Sequence, residues 1–440
     1  MLNVYRYMFK IPDLRGKILF TLGMFAIYRL GAAVPVPGIE LDRLDALAGQ
    51  RQGGAFGLLN LFSGNALENL SVFSLGILPY ITASIIMQLL SVVIPRLQKL
   101  QDEGESGRAV ITKWTRIVTV VLALLQSTGI TYLFSRGSSF TGGVVLIDDY
   151  TPTRVVLMVV TMTAGTAFVM WLGELITQRG IGNGMSLLIF ISILAALPSQ
   201  FTLIWQFTVP AGRAAIFVFI IVLFVLMVVG IIYVEQGQRR IPIQFAKRIR
   251  GRRVMGGQST YIPLKINMAG VIPVIFATSI LFFPVLISTS IPSTEGFFSS
   301  VRDFINVHLA PSGYASGATS WIYIGVLFFL IVFFTYFYTA IQFDPNKQSE
   351  TIQRQGGFIP GQRPGYQTAR YLERILNRIT LPGSVFLGMI SILPAIASAI
   401  WAIPVGFSGV SILIVVGVAL ETMKQVESQL TMRNYEGFLT

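Results

Sequence analysis

Ten long apolar stretches, each of 17 to 26 residues, dominate this sequence and are separated by shorter polar segments. About 20 apolar residues cover the roughly 30 Å hydrocarbon layer of a bilayer, so each stretch is predicted to form one transmembrane helix. Only the first, fourth and tenth contain a charged residue. The predicted spans are Ile18–Val34, Val72–Ile94, Ile117–Phe134, Val155–Ile176, Met185–Ile204, Ala214–Val234, Ile266–Ile291, Trp321–Phe343, Ile379–Ile400 and Val410–Glu427. The sequence therefore predicts an all-α polytopic membrane protein.

The composition agrees with this fold class and excludes several kinds of site. Hydrophobic residues make up 53% of the chain and charged residues 12%, about half the charged content of a soluble protein. The chain has no cysteine, which excludes disulfides and thiolate-bound metals, and its single histidine, His308, excludes histidine-cluster metal sites. We expect no metal, no cofactor and no catalytic residue.

The distribution of positive charge predicts the orientation. With ten spans and the N-terminus inside, 26 of the 33 lysines and arginines fall in cytoplasmic segments. This asymmetry follows the positive-inside rule and predicts that both termini are cytoplasmic. The start, with Arg6, Lys10, Asp13, Arg15 and Lys17 before the first span, is interpreted as a short amphipathic segment and not as a cleavable signal peptide.

Two of the predicted cytoplasmic loops are long and basic. The first covers residues 235–265, and the second covers residues 344–378 and contains the turn-forming run QGGFIPGQRPG. Positive-inside orientation alone explains the charge of both loops, but it does not require loops of this length. A shaped basic tip suits docking onto RNA phosphates or onto an acidic protein.

A short apolar segment, residues 56–69, lies between the first two spans on the predicted outer side. It is too short to cross the bilayer, and the polar run Ser63–Asn65 interrupts it. Two interpretations remain open: an amphipathic surface helix, or a re-entrant segment that lies at membrane depth within a protein-lined cavity.

The spans lack the features of charge-coupled transport and of catalysis. Arg29 and Glu174 lie near span ends, where long side chains reach the interface at little cost, and nothing resembles a proton relay. Residues 180–184, Gly-Ile-Gly-Asn-Gly, follow a span and not a strand, so they predict a tight interhelical turn instead of a phosphate loop. A small-solute secondary transporter and a membrane-embedded enzyme are the alternatives, and each needs polar or reactive groups that these spans do not offer.

Prolines and helix-face pairs are further signals within the spans. Pro79 in the second span, and Pro273 and Pro284 in the seventh, predict breaks or bends. Ile77 with Ile81, and Met185 with Ile189, are four residues apart and share a helix face, which is the usual spacing of plain packing. The uncharged polar groups Thr82, Ser84 and Gln88 of the second span, and Asn183 beside the fifth span, fit interhelical hydrogen bonding.

Longer runs of residues resemble one known family throughout the chain. They are NLFSG (60–64), LGILPYITASIIMQLL (75–90), EGESGR (103–108), MWLGELITQRGIGNGMS (170–186), GQRRIPIQFAKR (237–248), QSTYIPLKINMAGVIPVIFA (258–277), GGFIPGQRPG (356–365) and SILIVV (411–416). In this order they resemble the SecY family of protein-translocation channels. The resemblance implies a channel that passes unfolded secretory polypeptides across the bacterial plasma membrane and releases hydrophobic segments sideways into it.

The resemblance also implies an architecture and a set of channel residues. Two pseudo-symmetric five-helix halves, residues 1–206 and 207–440, would surround an hourglass pore. Its hydrophobic ring would consist of Ile77, Ile81, Met185, Ile189, Ile275 and Ile414. The segment 56–69 would be the plug that fills the resting channel, formed by Leu58, Leu59, Asn60, Leu61, Phe62, Ser63, Gly64, Asn65, Ala66 and Leu67.

The remaining implications concern the lateral gate and the partners. The second and seventh spans, with the third and eighth, would form a lateral gate whose polar cluster is Gln88, Asn183 and Thr278. The basic loops would dock the ribosome and the SecA motor ATPase through Arg239, Arg240, Lys247, Arg248, Arg252, Arg253 and Arg363. The family further implies SecE and SecG subunits, signal peptides, nascent chains and membrane lipids as partners.

Overall fold

Thirteen helices and five short strands make up the described part of the chain. The computed structural model describes residues 11–39, 60, 63–135, 151–210, 212–245, 248–250, 253–255, 259–289, 297–309, 320–401 and 408–436. The helices are α1 Pro12–Ala33, α2 Leu78–Val93, α3 Pro95–Asp102, α4 Glu105–Ser135, α5 Pro152–Arg179, α6 Gly184–Thr208, α7 Ala214–Gln236, α8 Ile272–Thr289, α9 Phe297–His308, α10 Trp321–Gln342, α11 Pro345–Arg354, α12 Tyr366–Trp401 and α13 Gly409–Glu436. The strands are β1 Gln238–Phe245, β2 Arg248–Arg250, β3 Arg253–Met255, β4 Ser259–Lys265 and β5 Gly357–Phe358.

Ten of these helices coincide with the ten predicted spans. Eight of them, α1, α4, α5, α6, α7, α10, α12 and α13, are long and apolar enough to cross a membrane on their own. Helix α2 reaches that length together with α3, which turns away from it by 106°, and α8 contains a shorter apolar run, Ile272–Leu281. The predominantly helical, multi-pass fold is therefore confirmed.

Prolines begin helices here more often than they bend them. The predicted break at Pro79 is wrong, because α2 starts at Leu78 and Pro79 lies in its first turn. Pro273 likewise occupies the first turn of α8, whereas Pro284 does lie inside that helix. Proline is favoured at a helix start because the backbone N–H that it lacks would have no intrahelical acceptor there. The sharp bend instead follows Ile94, whose extended backbone is the conformation preferred before a proline.

The helices pack in two groups, and one helix of the first group contacts two helices of the second. In the first group α2 packs on α4, α4 on α5, α5 on α6, and α1 on α5; in the second α8 packs on α10, α10 on α12, and α13 on both α12 and α7. Helix α6 joins the groups through contacts with α7 and α13. Among the described residues, α2 and α8 share no comparable contact. The boundary between residues 206 and 207 falls at the end of α6 and stays a prediction.

The two basic loops form one folded unit, which the sequence analysis did not foresee. Strand β1 pairs antiparallel with β4 and, on its other edge, with β5 of the second loop, so that Gln244 lies opposite Phe358. Strands β2 and β3 form a separate hairpin. The sheet shares an apolar core with α11 and the start of α12 that contains Ile243, Leu264 and Ile352. The alternation of buried Ile241 and Ile243 along β1 is the period-2 signal that could have revealed it.

Candidate functional site

The six residues of the proposed hydrophobic ring lie in one apolar cluster that draws on both helix groups. Five of them are buried, from Ile414 at 1% exposure to Met185 at 9%, and Ile81 packs partly buried against the same cluster. Ile77 directly precedes the first residue of α2, and Ile275 lies in the first turn of α8. The structure thus brings the six side chains into a common core, but the core is far larger than six residues, and the ring assignment stays a prediction.

The turn between α5 and α6 places Met185 in this core. The predicted tight turn is confirmed, since α5 ends at Arg179 and α6 begins at Gly184. The Asn183 side chain accepts hydrogen bonds from the backbone N–H groups of Met185 and Ser186, at 3.1 and 3.4 Å, and so caps α6. A Cβ at Gly184 would lie 2.0 Å from the carbonyl oxygen of Gly173, so only glycine permits this close crossing of α5 and α6.

The structure describes six residues of the proposed plug, Asn60 and Ser63–Leu67. The other four lie outside the described residues: Leu58, Leu59, Leu61 and Phe62. Residues 64–70 follow turns, and Gly64, Asn65 and Leu70 have positive φ angles of 67°, 68° and 43°. The Asn60 side chain ties this path together, because its amide donates to Glu68 Oε2 at 2.8 Å and its carbonyl accepts from the Glu68 backbone N–H at 3.0 Å.

A short backbone bridge closes the base of the loop that contains this segment. Pro35 and Ser71 form an isolated antiparallel bridge. The Val36 N–H donates to the Leu70 carbonyl and the Val72 N–H donates to the Val34 carbonyl, both at 2.9 Å. The chain therefore leaves α1 and returns towards α2 at one point, and the proposed plug belongs to the loop that this pairing closes.

Side chains of α1 and α6 hold the turn at Ser63–Gly64, and we call Tyr28, Arg29, Ser192 and this turn the latch. Arg29 Nη1 donates to the Gly64 carbonyl at 2.8 Å. The buried Tyr28 hydroxyl lies 2.7 Å from Ser192 Oγ and donates to the Ser63 carbonyl at 3.3 Å. A Cβ at Gly64 would lie 3.0 Å from Ser192 Cα. The latch fixes the segment directly against the helix that carries Met185 and Ile189.

Sequence reasoning missed the latch, although one signal was present. Arg29 was interpreted as a side chain that reaches the interface, yet in the structure its guanidinium binds a backbone carbonyl of the neighbouring loop. A charged side chain within a span is costly unless another group pairs with it, so the position of Arg29 already indicated that it has a partner. Tyr28 and Ser192 gave no such signal, because a tyrosine and a serine are ordinary within a membrane helix.

Two of the three residues of the proposed gate cluster, Thr278 and Asn183, form hydrogen bonds within their own helices. Thr278 Oγ1 donates to the carbonyls of Val274 and Ile275, both at 3.0 Å, within α8. Asn183 caps α6, and Gln88 is exposed on α2. Among the described residues, no hydrogen bond joins the three side chains to one another, so the assignment stays a prediction.

The described residues of the proposed docking set belong to the strands of the two loops or to the turn after β5. Arg239 and Arg240 on β1 are exposed, and the Arg240 guanidinium carbon lies 4.8 Å from the centre of the Tyr261 ring on β4. Arg363 is exposed in the turn after β5, where its carbonyl accepts from Thr368 Oγ1 at 2.9 Å. Arg248 and Arg253 belong to β2 and β3, and Lys247 and Arg252 lie outside the described residues.

One ion pair joins two neighbouring spans, and the described residues hold no cluster of acidic or histidine side chains that could bind a metal. Glu174, the one charge of the fourth span, forms a 2.6 Å ion pair with Arg116 at the start of the third. A pair of opposite charges between neighbouring helices lowers the cost of each charge in the membrane. It offers no vacant coupling site for a transported solute.

Comparisons with known proteins agree on one family. The SecY family model matches residues 71–423. The chain is 50% identical over 451 residues to a protein translocase subunit SecY of Streptomyces scabiei, and 47% identical over 453 residues to one of Mycobacterium bovis, with 100% of each chain covered in both cases.

Solved structures share the fold at lower identity. The structure of a protein conducting channel matches with a TM-score of 0.63 at 18% identity, and covers 96% of both chains. A structure of the plug domain of the SecY protein, reported to stabilise the closed state and maintain a membrane seal, matches with a TM-score of 0.61 at 19% identity and the same coverage. Sec61 in the canine ribosome-channel complex matches with a TM-score of 0.58 at 16% identity, again covering 96% of both chains.

Proposed function

The chain belongs to the SecY family, and from this premise we propose how its residues carry out the work of a protein-conducting channel. It is the channel-forming subunit of a protein translocase and a multi-pass membrane protein. It passes unfolded polypeptides across the membrane and releases hydrophobic segments into it. The full-length match to translocase subunits at about half identity is the observation that carries this conclusion.

The hydrophobic ring is the proposed seal of the resting channel. A ring of isoleucine and methionine side chains offers an ion no oxygen to replace its hydration shell, so a narrow ring stays dry and blocks ions. The same side chains adapt to a passing polypeptide, because their rotamers change without breaking specific bonds. The burial of Ile77, Met185, Ile189, Ile275 and Ile414 in one cluster supports a closed ring.

The plug segment is proposed to reinforce that seal. Its described residues contact α1 and α6 through the latch, next to the ring residues of α6. The related structure whose plug domain maintains a membrane seal supports the same role here. Displacement of the segment would then accompany opening.

Lateral release is proposed to occur between α2 and α8, where the described residues share no extended packing contact. A segment of about 20 apolar residues in the pore would move into the lipid through this gap, since burial of apolar surface favours it by roughly 25 cal/mol for each Å². Polar segments would continue across. Sorting of this kind needs no catalysis, and we propose that the chain is not an enzyme.

The partners and the location follow the family. We propose SecE and SecG as companion subunits, and the SecA motor ATPase and the ribosome as partners of the sheet unit with its exposed arginines. The related ribosome-bound channel supports a ribosome contact. The bacterial plasma membrane, with both termini cytoplasmic, is the proposed location.

A photo-crosslink from the ring tests the proposed path. A photoreactive amino acid at Ile81 should crosslink to a secretory nascent chain that is stalled in membranes, and only when its signal sequence is functional. The matched control is the same amino acid at Leu226 of α7, a site that is 64% exposed on the outside of the bundle. No crosslink from position 81, with the ribosome still bound, would overturn the assignment of Ile81 to the pore.

A further inference from the structure

An open groove of about 620 Å³ lies between α10 and the first half of α12, and its lining includes none of the residues of the proposed ring, the latch or the proposed docking set. Tyr336 of α10 forms one wall, and the other wall is an exposed face of α12. The residues of α12 that line this basic groove include Arg370, Glu373, Arg374, Arg378 and Leu381.

The groove carries uncompensated positive charge. Arg370, Arg374 and Arg378 are spaced four residues apart and so lie on one side of α12, with Glu373 as the only acidic residue of the lining. None of these arginines has a salt-bridge partner among the residues that the structure describes. Guanidinium groups bind phosphate oxygens through two parallel hydrogen bonds, so three of them in one groove favour a phosphate group as the ligand.

An apolar strip continues from the groove along the same two helices. Leu381, at the lower end of the arginine row, is 57% exposed, and Met389 lies two turns further along α12 and is 53% exposed. On α10, Phe333 and Phe329 precede Tyr336 by three and seven residues, share its helix face, and are 52% and 68% exposed. The arginines therefore end where the predicted ninth span begins, and exposed apolar side chains follow at membrane depth.

We propose that the basic groove binds the phosphate headgroup of an anionic phospholipid, and that the acyl chains of this lipid lie along Leu381 and Phe333. A charged head and an apolar tail match the order of arginines and exposed apolar side chains. A soluble phosphate would use the arginines alone. An acidic protein segment would leave the apolar strip uncovered within the membrane, so the lipid fits both parts of the surface.

The test uses the complete translocase in lipid nanodiscs and a single fluorophore. Because the natural chain has no cysteine, Ala340→Cys gives one attachment point, exposed on α10 one turn beyond Tyr336. Quenching is measured with phosphatidylglycerol or phosphatidylcholine that carries a nitroxide high on the acyl chain. Phosphatidylglycerol should quench in a saturable manner at a mole fraction roughly ten-fold lower than phosphatidylcholine, in line with the attraction of several basic residues to an anionic headgroup.

Two variants that each remove three positive charges distinguish binding in the groove from the general attraction of an anionic lipid to a basic protein. Arg370→Gln/Arg374→Gln/Arg378→Gln should abolish the difference between the two lipids, whereas Arg96→Gln/Arg108→Gln/Arg179→Gln, which removes the same charge from exposed positions elsewhere, should preserve it. Equal quenching by the two lipids in the natural sequence, or equal loss in both variants, would overturn the proposal. A change in fluorophore emission on adding soluble glycerol phosphate, together with equal quenching by the two lipids, would assign the groove to a free phosphate. A groove covered by a partner subunit would show neither effect. Either result also overturns the proposal.

Discussion

At the scale of single residues, Gly64 has the most restricted position in the latch. Its φ of 67° belongs to the left-handed region, and its missing side chain leaves just enough room for the backbone of Ser192. The surrounding hydrogen bonds from Tyr28 and Arg29 depend on this close approach. If Gly64 can no longer approach the backbone of Ser192 closely, residues 63 and 64 should leave the latch even though Tyr28 and Arg29 are unchanged.

We predict that Gly64→Ala raises the ion leak of the resting channel. A left-handed backbone costs about 1–2 kcal/mol for alanine, and the new Cβ would also press on Ser192 Cα. An increase of about ten-fold in the open fraction corresponds to 1.4 kcal/mol, and ion flux through reconstituted channels in planar bilayers measures it.

Gly38→Ala is the matched control for this variant. Gly38 also has a positive φ, of 98°, but nothing lies within 4 Å of the position that its Cβ would take. Alanine there would meet backbone strain of the same kind, but no clash. An equal rise in leak for both variants would mean that strain in the loop, and not contact with α6, holds the segment in place.

At the scale of elements, the sequence predicted the helices well and the loops poorly. The ten spans were recognisable because an apolar run of membrane length has few alternative structures. The β1–β4 ladder was missed because strand pairing depends on partners that are distant in the chain, and β5 lies about a hundred residues after β1. Pro79 was misjudged for a related reason: the sequence does not reveal whether a proline stands inside a helix or at its first turn.

We predict that Ile243→Ala loosens the sheet unit without disturbing the membrane helices. Ile243 is buried in the core that the two loops share, and truncation of such a side chain costs about 2–5 kcal/mol. Protease treatment of membranes should cleave the segment 235–265 several-fold faster, and ribosome or motor binding should weaken with it.

Gln244→Ala provides the control, because Gln244 is the next residue of β1 and its side chain is exposed. It keeps the backbone pairing with Phe358. If both variants were cleaved at the same rate, the shared apolar core would not be what holds the loops together.

At the scale of the whole molecule, the contacts between the two helix groups are unevenly distributed. The two helix groups are joined by α6, α7 and α13, while α2 and α8 have little contact among the described residues. The residues of the proposed ring lie in or beside α2, α6, α8 and α13, so we expect that separation of α2 from α8 would also widen the ring. The sequence implied these residues through family resemblance, but their burial in one cluster became visible only in the fold.

We predict that Ile81→Asn and Ile275→Asn each weaken the closed state and admit substrates with defective signal sequences. A polar group in a dry constriction without a partner costs about 1–3 kcal/mol, and rehydration of the ring relieves this cost. The export of substrates with defective signal sequences and the ion conductance of the resting channel should both increase. Ile81→Leu preserves the apolar character and should behave like the natural chain. Unchanged export and unchanged leak in both asparagine variants would count against the ring.

The backbone bridge between Pro35 and Ser71 has a kinetic consequence for this channel. It confines the proposed plug to a loop that is anchored at both ends, so a displaced segment would remain near its binding position at an effective concentration on the order of millimolar. Rebinding is then a first-order event whose rate does not depend on how many channels the membrane contains. Each channel should therefore close independently of the others once its substrate has passed. Rapid closure limits the number of ions that cross in every cycle of transport.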